Sequence, residues 1–568
     1  MNNPTNTKRI EQNTSKKLNT KLVIILLIMI TAVVYAPSLK NDFVWDDYIV
    51  IVDNTFIKSW ENFPTIFSKA YLTPVEVLTS GGLTGSGETT YRPVVTISYF
   101  FDYWIWKLNP FGYHFSNILL HLANVILLYL FVYLLVKNKY IALLSALIFA
   151  LHPVNTEAVD VISFRKDLFV FLFLISSFIL FIKHDSFRGI KKNLCIISSV
   201  SLFLLALFSK ENAIMFPILL VLYDFFFIFK QKWDGFFTRV TLRYSGYILT
   251  TIFYLAVWFI FKKSMVDLIA AYPYPGGNIY TNLLTMSRVV SIYIFWLILP
   301  INIHATLPEN NPALTLYTIF KPEAIFSIAL IIFLLALAFI MRKKAKEISF
   351  AVFWFFIMLF PVSNIIPISC IIACRYLYVP MVGFSIAASV VLFRLYNLKS
   401  RLFPRSFLIK LVRDTIIIVL IFYSIFTAIR NLAWKNNIML WQELVEYSPM
   451  NAVAHINLGN QLNKIGLLDR AIIEYKIAER LNPGFPEVYN LLGLTVGEEG
   501  HYEEAIKYFE KAISIDNKYL RAYDNLAVTY TRMNKYGQAK KVWEKALQIN
   551  PNNSEVRKNL QKVTQLGV

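Results

Sequence analysis

Twelve apolar runs, separated by short polar breaks, pattern the chain up to about residue 430. They lie near 22–39, 113–136, 140–153, 167–183, 193–208, 213–229, 245–262, 283–301, 322–341, 349–369, 374–393 and 411–430. A bilayer-spanning helix needs about 20 residues, with a range of roughly 17–25. Each run therefore predicts a membrane helix. The run at 140–153 is short, which predicts a tilt or a continuation past Pro153. Between the first two runs lies a long polar and aromatic stretch, 40–112. It contains Gly81, Gly82, Gly85 and Gly87, a flexible loop. Val94 to Trp106 then carries Tyr99, Phe100, Phe101, Tyr103, Trp104 and Trp106. That density of aromatics suits a helix lying in the membrane interface, or an extension of the next spanning helix.

The pattern changes after the last run. Ala471, Ala505 and Ala539 lie 34 residues apart, as do Ala478, Ala512 and Ala546. Gly459, Gly493 and Ala527 keep the step, and so do Tyr475, Phe509 and Trp543. Pro483, Asn517 and Pro551 close the repeats. This is the tetratricopeptide pattern of two antiparallel helices per repeat, with small residues where the helices touch. It predicts three repeats over 452–553, a linker over 431–451 and a capping helix over 554–568. The fold class is thus all-α: a polytopic domain of about 11–12 membrane helices over 22–430, then an α-solenoid.

Composition agrees. The chain of 568 residues is 56% hydrophobic and 16% charged, with mean hydropathy +0.51. Soluble domains carry about 25% charged residues. A net charge of +20 fits Lys and Arg gathered in cytoplasmic loops. No basic stripe accompanies a nucleic-acid motif, so nucleic acid is not a partner. Cys195, Cys370 and Cys374 all fall in apolar segments and make no disulfide framework. Residues 1–21 read as a basic cytoplasmic leader, and the first run reads as a signal anchor.

The basic breaks Lys137/Lys139, 183–192, 230–243, 342–346 and 394–413 belong on the cytoplasmic side. The segments 40–112 and 153–166 then lie outside. If all twelve runs cross, 342–346 is displaced to the outside. The simplest repair is that 283–301 does not fully cross, which also puts the repeats outside. A multi-pass protein of the plasma (inner) membrane is expected, with membrane lipids around it.

The ionisable residues of the external segments are the candidates for chemistry. Asp46 and Asp47 follow the first helix closely. Such a pair can act as general base and pKa-tuning neighbour, or form a solvated turn. The second external loop packs His152, Glu157, Asp160, Arg165, Lys166 and Asp167 between two apolar helices. Ionisable groups at membrane depth are costly and point to function. Arg165 and Lys166 can meet a lipid phosphate, and Glu157 a sugar or a metal; an internal salt bridge is the plainer reading. Lys210 and Glu211 sit at another external boundary and can pair with each other. Arg288 and Arg375 lie near outer helix ends, placed to contact phosphate or to snorkel. His114, Asn117 and His121 share a helix face, a poor metal set better suited to bonds between helices. No P-loop, dinucleotide fingerprint or zinc spacing occurs in the sequence. No cofactor is implied; a divalent cation remains open. An activated lipid-phosphate sugar fits these groups. The rival classes are a membrane-anchored repeat scaffold and a transporter, which would place its charges near mid-membrane.

Several short stretches carry a resemblance in order: 43–47, Tyr91-Arg92-Pro93, 113–121, 151–159, 209–211, 375–380, then Trp434, Leu440, Trp441, Pro449 and the repeats. Over about 22–553 the chain resembles the transmembrane and tetratricopeptide-repeat O-mannosyltransferases and prokaryotic relatives in the GT-C glycosyltransferase superfamily. The resemblance implies a GT-C-like membrane domain and a polyprenyl-phosphate sugar donor, usually mannose. It implies a Ser or Thr acceptor outside the cytoplasm and inverting transfer; separately, the concave groove of three repeats suits an extended acceptor peptide or a partner helix. It puts the base at Asp46 or Asp47 and the second-loop acid at Glu157. Arg92, Arg165, Lys166, Lys210, Glu211, Arg288 and Arg375 become donor-binding candidates. Lys166 stands between Arg165 and Asp167, where relatives often have Arg directly before Asp.

Overall fold

A computed structural model of the chain describes residues 19–67, 91–228, 236–261, 274–303, 314–368, 370–399, 404–551 and 553–566. The four glycines at 81–87, most of the leader and parts of the basic breaks lie outside the described residues. The described residues contain helices and no strand. The chain divides into two units, Met1–Asn436 and Asn437–Val568.

Every one of the twelve apolar runs falls on a helix of the first unit. In chain order the unit holds α1 (Thr20–Tyr35), α2 (Pro93–Trp106), α3 (Pro110–Val136), α4 (Lys139–Leu151) and α5 (Thr156–Asp160). Then come α6 (Arg165–Lys183), α7 (Ile190–Leu207), α8 (Phe216–Tyr223), α9 (Phe236–Phe261) and α10 (Ile279–Ile298). The last four are α11 (Pro322–Met341), α12 (Lys346–Leu359), α13 (Met381–Tyr396) and α14 (Arg405–Ala433). Among the described residues eight helical segments are long and apolar enough to cross a membrane, or nine if the bent pair α4 and 153–160 counts as one span. The pair bends by 54° at Pro153, as the short run predicts. The runs at 349–369 and 374–393 yield helices of only 14 and 16 residues.

Local sequence sets the boundaries. Asn109, Asn138 and Asn278 cap α3, α4 and α10 with their side-chain oxygens, which satisfies N–H groups the first turn leaves open. Lys107 and Lys137 take positive φ, 53° and 57°, and terminate α2 and α3. The aromatic segment is therefore a helix of its own rather than an extension of α3. It buries Tyr99, Phe100 and Asp102 and exposes Phe101, Trp104 and Ile105, the habit of an interfacial helix. At Gly383, a Cβ would stand 2.2 Å from the Ala351 carbonyl; only glycine lets α12 and α13 approach so closely.

Two ends of the bundle can be told apart by their bonds. At one, Arg243 pairs with Asp185 and Asp224, and Arg394 with Glu347; both cations come from basic breaks. At the other, α1, α4 and α14 finish together. Asn431 Nδ2 donates to the Val34 carbonyl at 2.8 Å, and Thr427 Oγ1 to the Leu151 carbonyl at 2.6 Å. The 20-residue α10 is long enough to cross. Yet its first turn bonds through Asn282 to Asn364, beyond the end of α12. Its last turn receives His152 and Tyr423 on the Leu297 carbonyl.

The second unit contains α15 (Asn437–Tyr447), then the pairs α16 (Ala452–Lys464) with α17 (Leu468–Leu481), α18 (Pro486–Glu498) with α19 (Tyr502–Ile515), and α20 (Leu520–Arg532) with α21 (Tyr536–Ile549). It ends in α22 (Ser554–Leu566), which packs Val556 and Val563 against Trp543. The repeat code is a packing code. A Cβ on Gly459 would meet the Tyr475 ring at 2.5 Å, and one on Gly493 the Phe509 ring at 2.7 Å. The six periodic alanines are fully buried. The expected linker 431–451 holds the last turn of α14 and the whole of α15. Its apolar positions Leu440, Trp441 and Leu444 are buried, which is what makes it an element.

Candidate active site

The ionisable residues of the separate external segments converge on one end of the first unit. Asp46 and Asp47 are 1% and 0% exposed, so a solvated turn is excluded. Asp47 is a clamp. One carboxylate oxygen accepts the Val44 N–H at 3.1 Å and the other the Ser163 N–H at 2.7 Å. It thereby ties the first external loop to the second. Burial pushes its carboxyl up to about 7; Asp46 adds to that, and the two amide bonds pull against it. Asp46 faces the Lys166 ammonium electrostatically.

Lys166 is buried at the first turn of α6, its Nζ 5.3 Å from the Phe164 ring centre. Lys210, Arg375 and Asp167 all lie within electrostatic reach of it. Lys210 pairs with Asp167 at 2.6 Å, and Glu211 with Arg92 at 3.1 Å. The neighbours Lys210 and Glu211 thus pair with distant residues and not with each other. Burial pushes the Lys210 ammonium down, against the pull of Asp167. Glu157 is wholly buried and holds Arg375 twice: it accepts the backbone N–H at 3.0 Å and pairs with the guanidinium. That guanidinium lies over the Phe164 ring at 4.1 Å. Lys166, Lys210, Arg375 and Arg92 therefore form a cationic cluster bound on its flanks by Asp46, Asp167, Glu157 and Glu211.

Two predicted residues stand apart. Arg165 is 1% exposed and fully engaged by protein. It pairs with Asp102 at 2.5 Å, donates to Asn117 at 2.6 Å, to Ser98 at 3.2 Å and to the Tyr113 carbonyl at 3.1 Å, and lies over Tyr99. Its donors are spent on joining α2, α3 and α6. Arg288 lines a groove between α10 and α11 with Ser291, Glu323 and Ser327. His114, Asn117 and His121 serve as bonds between elements: to Asp42, Val159 and Tyr378 respectively. Among the described residues no group of three or more His, Cys, Asp or Glu is arranged to hold a metal.

Sequence reasoning missed Asp102 and Arg430. Asp102 was legible as the sole acid in the aromatic helix α2. Arg430 is buried in the last turns of α14 and acts electrostatically on Asp160, itself 0% exposed. A basic residue inside an apolar run is the signal that points to it.

A protein O-mannosyl-transferase of Caenorhabditis elegans is 24% identical over 82% of this chain and 63% of its own length. The human protein O-mannosyl-transferase TMTC1 is 24% identical over 81% of this chain and 55% of its own, and the mouse TMTC3 24% over 86% and 60%. Over about four-fifths of its length the chain is thus similar to these named O-mannosyl-transferases. It spans about six-tenths of the length of these curated relatives. Residues 487–566 match the family described as regulator of microtubule dynamics protein 1-3. Among solved structures, the first tetratricopeptide domain of human RPAP3 is 26% identical, covering 21% of this chain and 92% of that one with TM-score 0.20. MamA is 24% identical, covering 22% and 75% with TM-score 0.21.

Proposed function

We propose that this chain is a membrane glycosyltransferase that moves a sugar, mannose by analogy with its relatives' named activity, from a polyprenyl phosphate to a Ser or Thr hydroxyl of a protein, or to a glycan. One observation carries the reading: a buried acid pair stands beside a buried cationic cluster at one end of a membrane bundle. Asp46 takes the proton of the acceptor hydroxyl. The oxygen attacks the anomeric carbon from the face opposite the phosphate, the bond from that carbon to the phosphate oxygen breaks, and the electron pair leaves on the phosphate. The configuration inverts. Lys166, Lys210 and Arg375 meet the leaving phosphate, where cations act most strongly because water is excluded. Asp47 holds the loop that carries the base, and Glu157 holds Arg375. Arg92 and Glu211 line the approach. A scaffold has no use for such costly buried charges, and a transporter would set them at mid-membrane.

The reaction lies on the non-cytoplasmic face, opposite the basic end, and the protein spans the plasma (inner) membrane. α14 ends at the acid-pair face, where Asp42 N–H donates to the Lys435 carbonyl at 2.9 Å. This supports repeats on the non-cytoplasmic side, where they hold the acceptor peptide. That both ends of α10 bond to this end supports the view that 283–301 makes no net crossing. The test is transfer of label from polyprenyl-phosphate mannose to protein in purified membranes, with Asp46→Asn alongside. Label that persists unchanged in the variant overturns the assignment.

A further inference from the structure

The turn that carries the acid pair is strained. Trp45, directly before Asp46, has φ 51°, a left-handed conformation that costs a non-glycine residue free energy and persists only where the surroundings over-determine it. Part of that determination comes from the far end of the sequence. Asn41 Nδ2 donates to the Asn431 carbonyl at 3.1 Å, and Asp42 N–H to the Lys435 carbonyl at 2.9 Å. Asn431 is itself fixed on the Val34 carbonyl, where α1 ends. Four residues earlier, Thr427 Oγ1 grips the Leu151 carbonyl, at the start of the second external loop. Arg430, between them, acts on Asp160 of that same loop. Asn41, Thr427, Asn431 and Trp434 are nearly or wholly buried, so water does not compete for these bonds.

We propose that the last two turns of α14 are a positioning element for transfer: Thr427, Asn431 and the Lys435 carbonyl brace the two external loops whose junction at Asp47 and Ser163 sets Asp46 in place. None of these residues touches the cationic cluster. Their loss therefore misplaces the base and leaves the donor's phosphate contacts standing. A displacement of about 1 Å at a reacting group can cost on the order of 100-fold in rate. The inference rests on the transferase reading given above.

The test uses the full chain in liposomes, with polyprenyl-phosphate mannose as donor. Asn41→Leu cuts the brace at the first loop, and Thr427→Val cuts it at the second with almost no change of shape. Both are expected to lower kcat by about tenfold to 100-fold with donor KM within about twofold. Thr427→Ser keeps the hydroxyl and is expected to retain the wild-type kcat. Wild-type kcat in both Asn41→Leu and Thr427→Val overturns the proposal. So does equal loss in Thr427→Ser and Thr427→Val, because packing alone then accounts for it. If Asn41→Leu does not fold, the Thr427 pair decides by the same criteria. Unimpaired transfer in Asp46→Asn, by contrast, overturns the underlying reading and not the brace alone.

Discussion

At the scale of single residues, the acid pair and its neighbours divide the work by what each oxygen already bonds. Asp47 spends both oxygens on backbone N–H groups, which suits it to orient, while Asp46, which faces Lys166, is the base of the proposed reaction. Asp46→Asn is expected to lower transfer by about 10²–10⁴-fold, the span of a general base, while donor binding persists. Donor affinity and rate measured on one preparation check both halves. A pH dependence follows from burial. Asp47 rests near 7 against about 3.9 in an unfolded chain, so one carboxyl of the pair stays protonated until near neutrality. The protonated form favours the fold fully below about pH 4, and that contribution is lost as pH rises through about 7. Ionisation of Asp47 puts a negative charge beside Asp46 and makes it a stronger base, so the transfer rate should rise as pH passes through about 7. A rate independent of pH between 5 and 7 would contradict this. The sequence disclosed the pair but not its burial, because nothing local in 41–48 says that Ser163 will cover it.

At the scale of elements, the sequence disclosed where helices lie and left open which charges meet. Runs and caps are local, so all twelve runs became helices. Pairings such as Lys210 with Asp167 or Arg92 with Glu211 span 43 and 119 residues, beyond any periodic signal. Arg165 shows the consequence. Its position suggested phosphate, but Asp102 on another helix consumes it. Removing one member of a buried ion pair costs about 3–5 kcal/mol, so Arg165→Met should impair folding itself. The check is thermal unfolding in detergent, where Arg165→Met should melt clearly below the wild-type protein. Gly383→Ala drives a methyl into the Ala351 carbonyl and should cost about 1–3 kcal/mol, read as a lowered unfolding temperature with α12 and α13 prised apart.

At the scale of the whole molecule, the seam between the two units is set by packing that no local pattern reports. The boundary falls after Asn436, and α15 goes with the repeats, because its buried Leu440, Trp441 and Leu444 give it a core that a linker lacks. A chain stopped after Asn436 therefore keeps every residue of the acid pair, the cationic cluster and the brace through Lys435. Such a chain should bind polyprenyl-phosphate mannose as the full protein does, since no group assigned to the donor lies beyond Arg375. Transfer to the natural acceptor should collapse, while a short Ser- or Thr-containing peptide at high concentration still reacts. A drop in acceptor affinity with little change in limiting rate is what lost docking produces. Unchanged acceptor kinetics in a well-folded truncation would mean that the repeats stabilise or dimerise the protein and do not choose its substrate. A reporter joined after Val568 adds the side of the membrane: docking of an external acceptor requires it to read as non-cytoplasmic, and a cytoplasmic signal would separate the repeats from the reaction altogether.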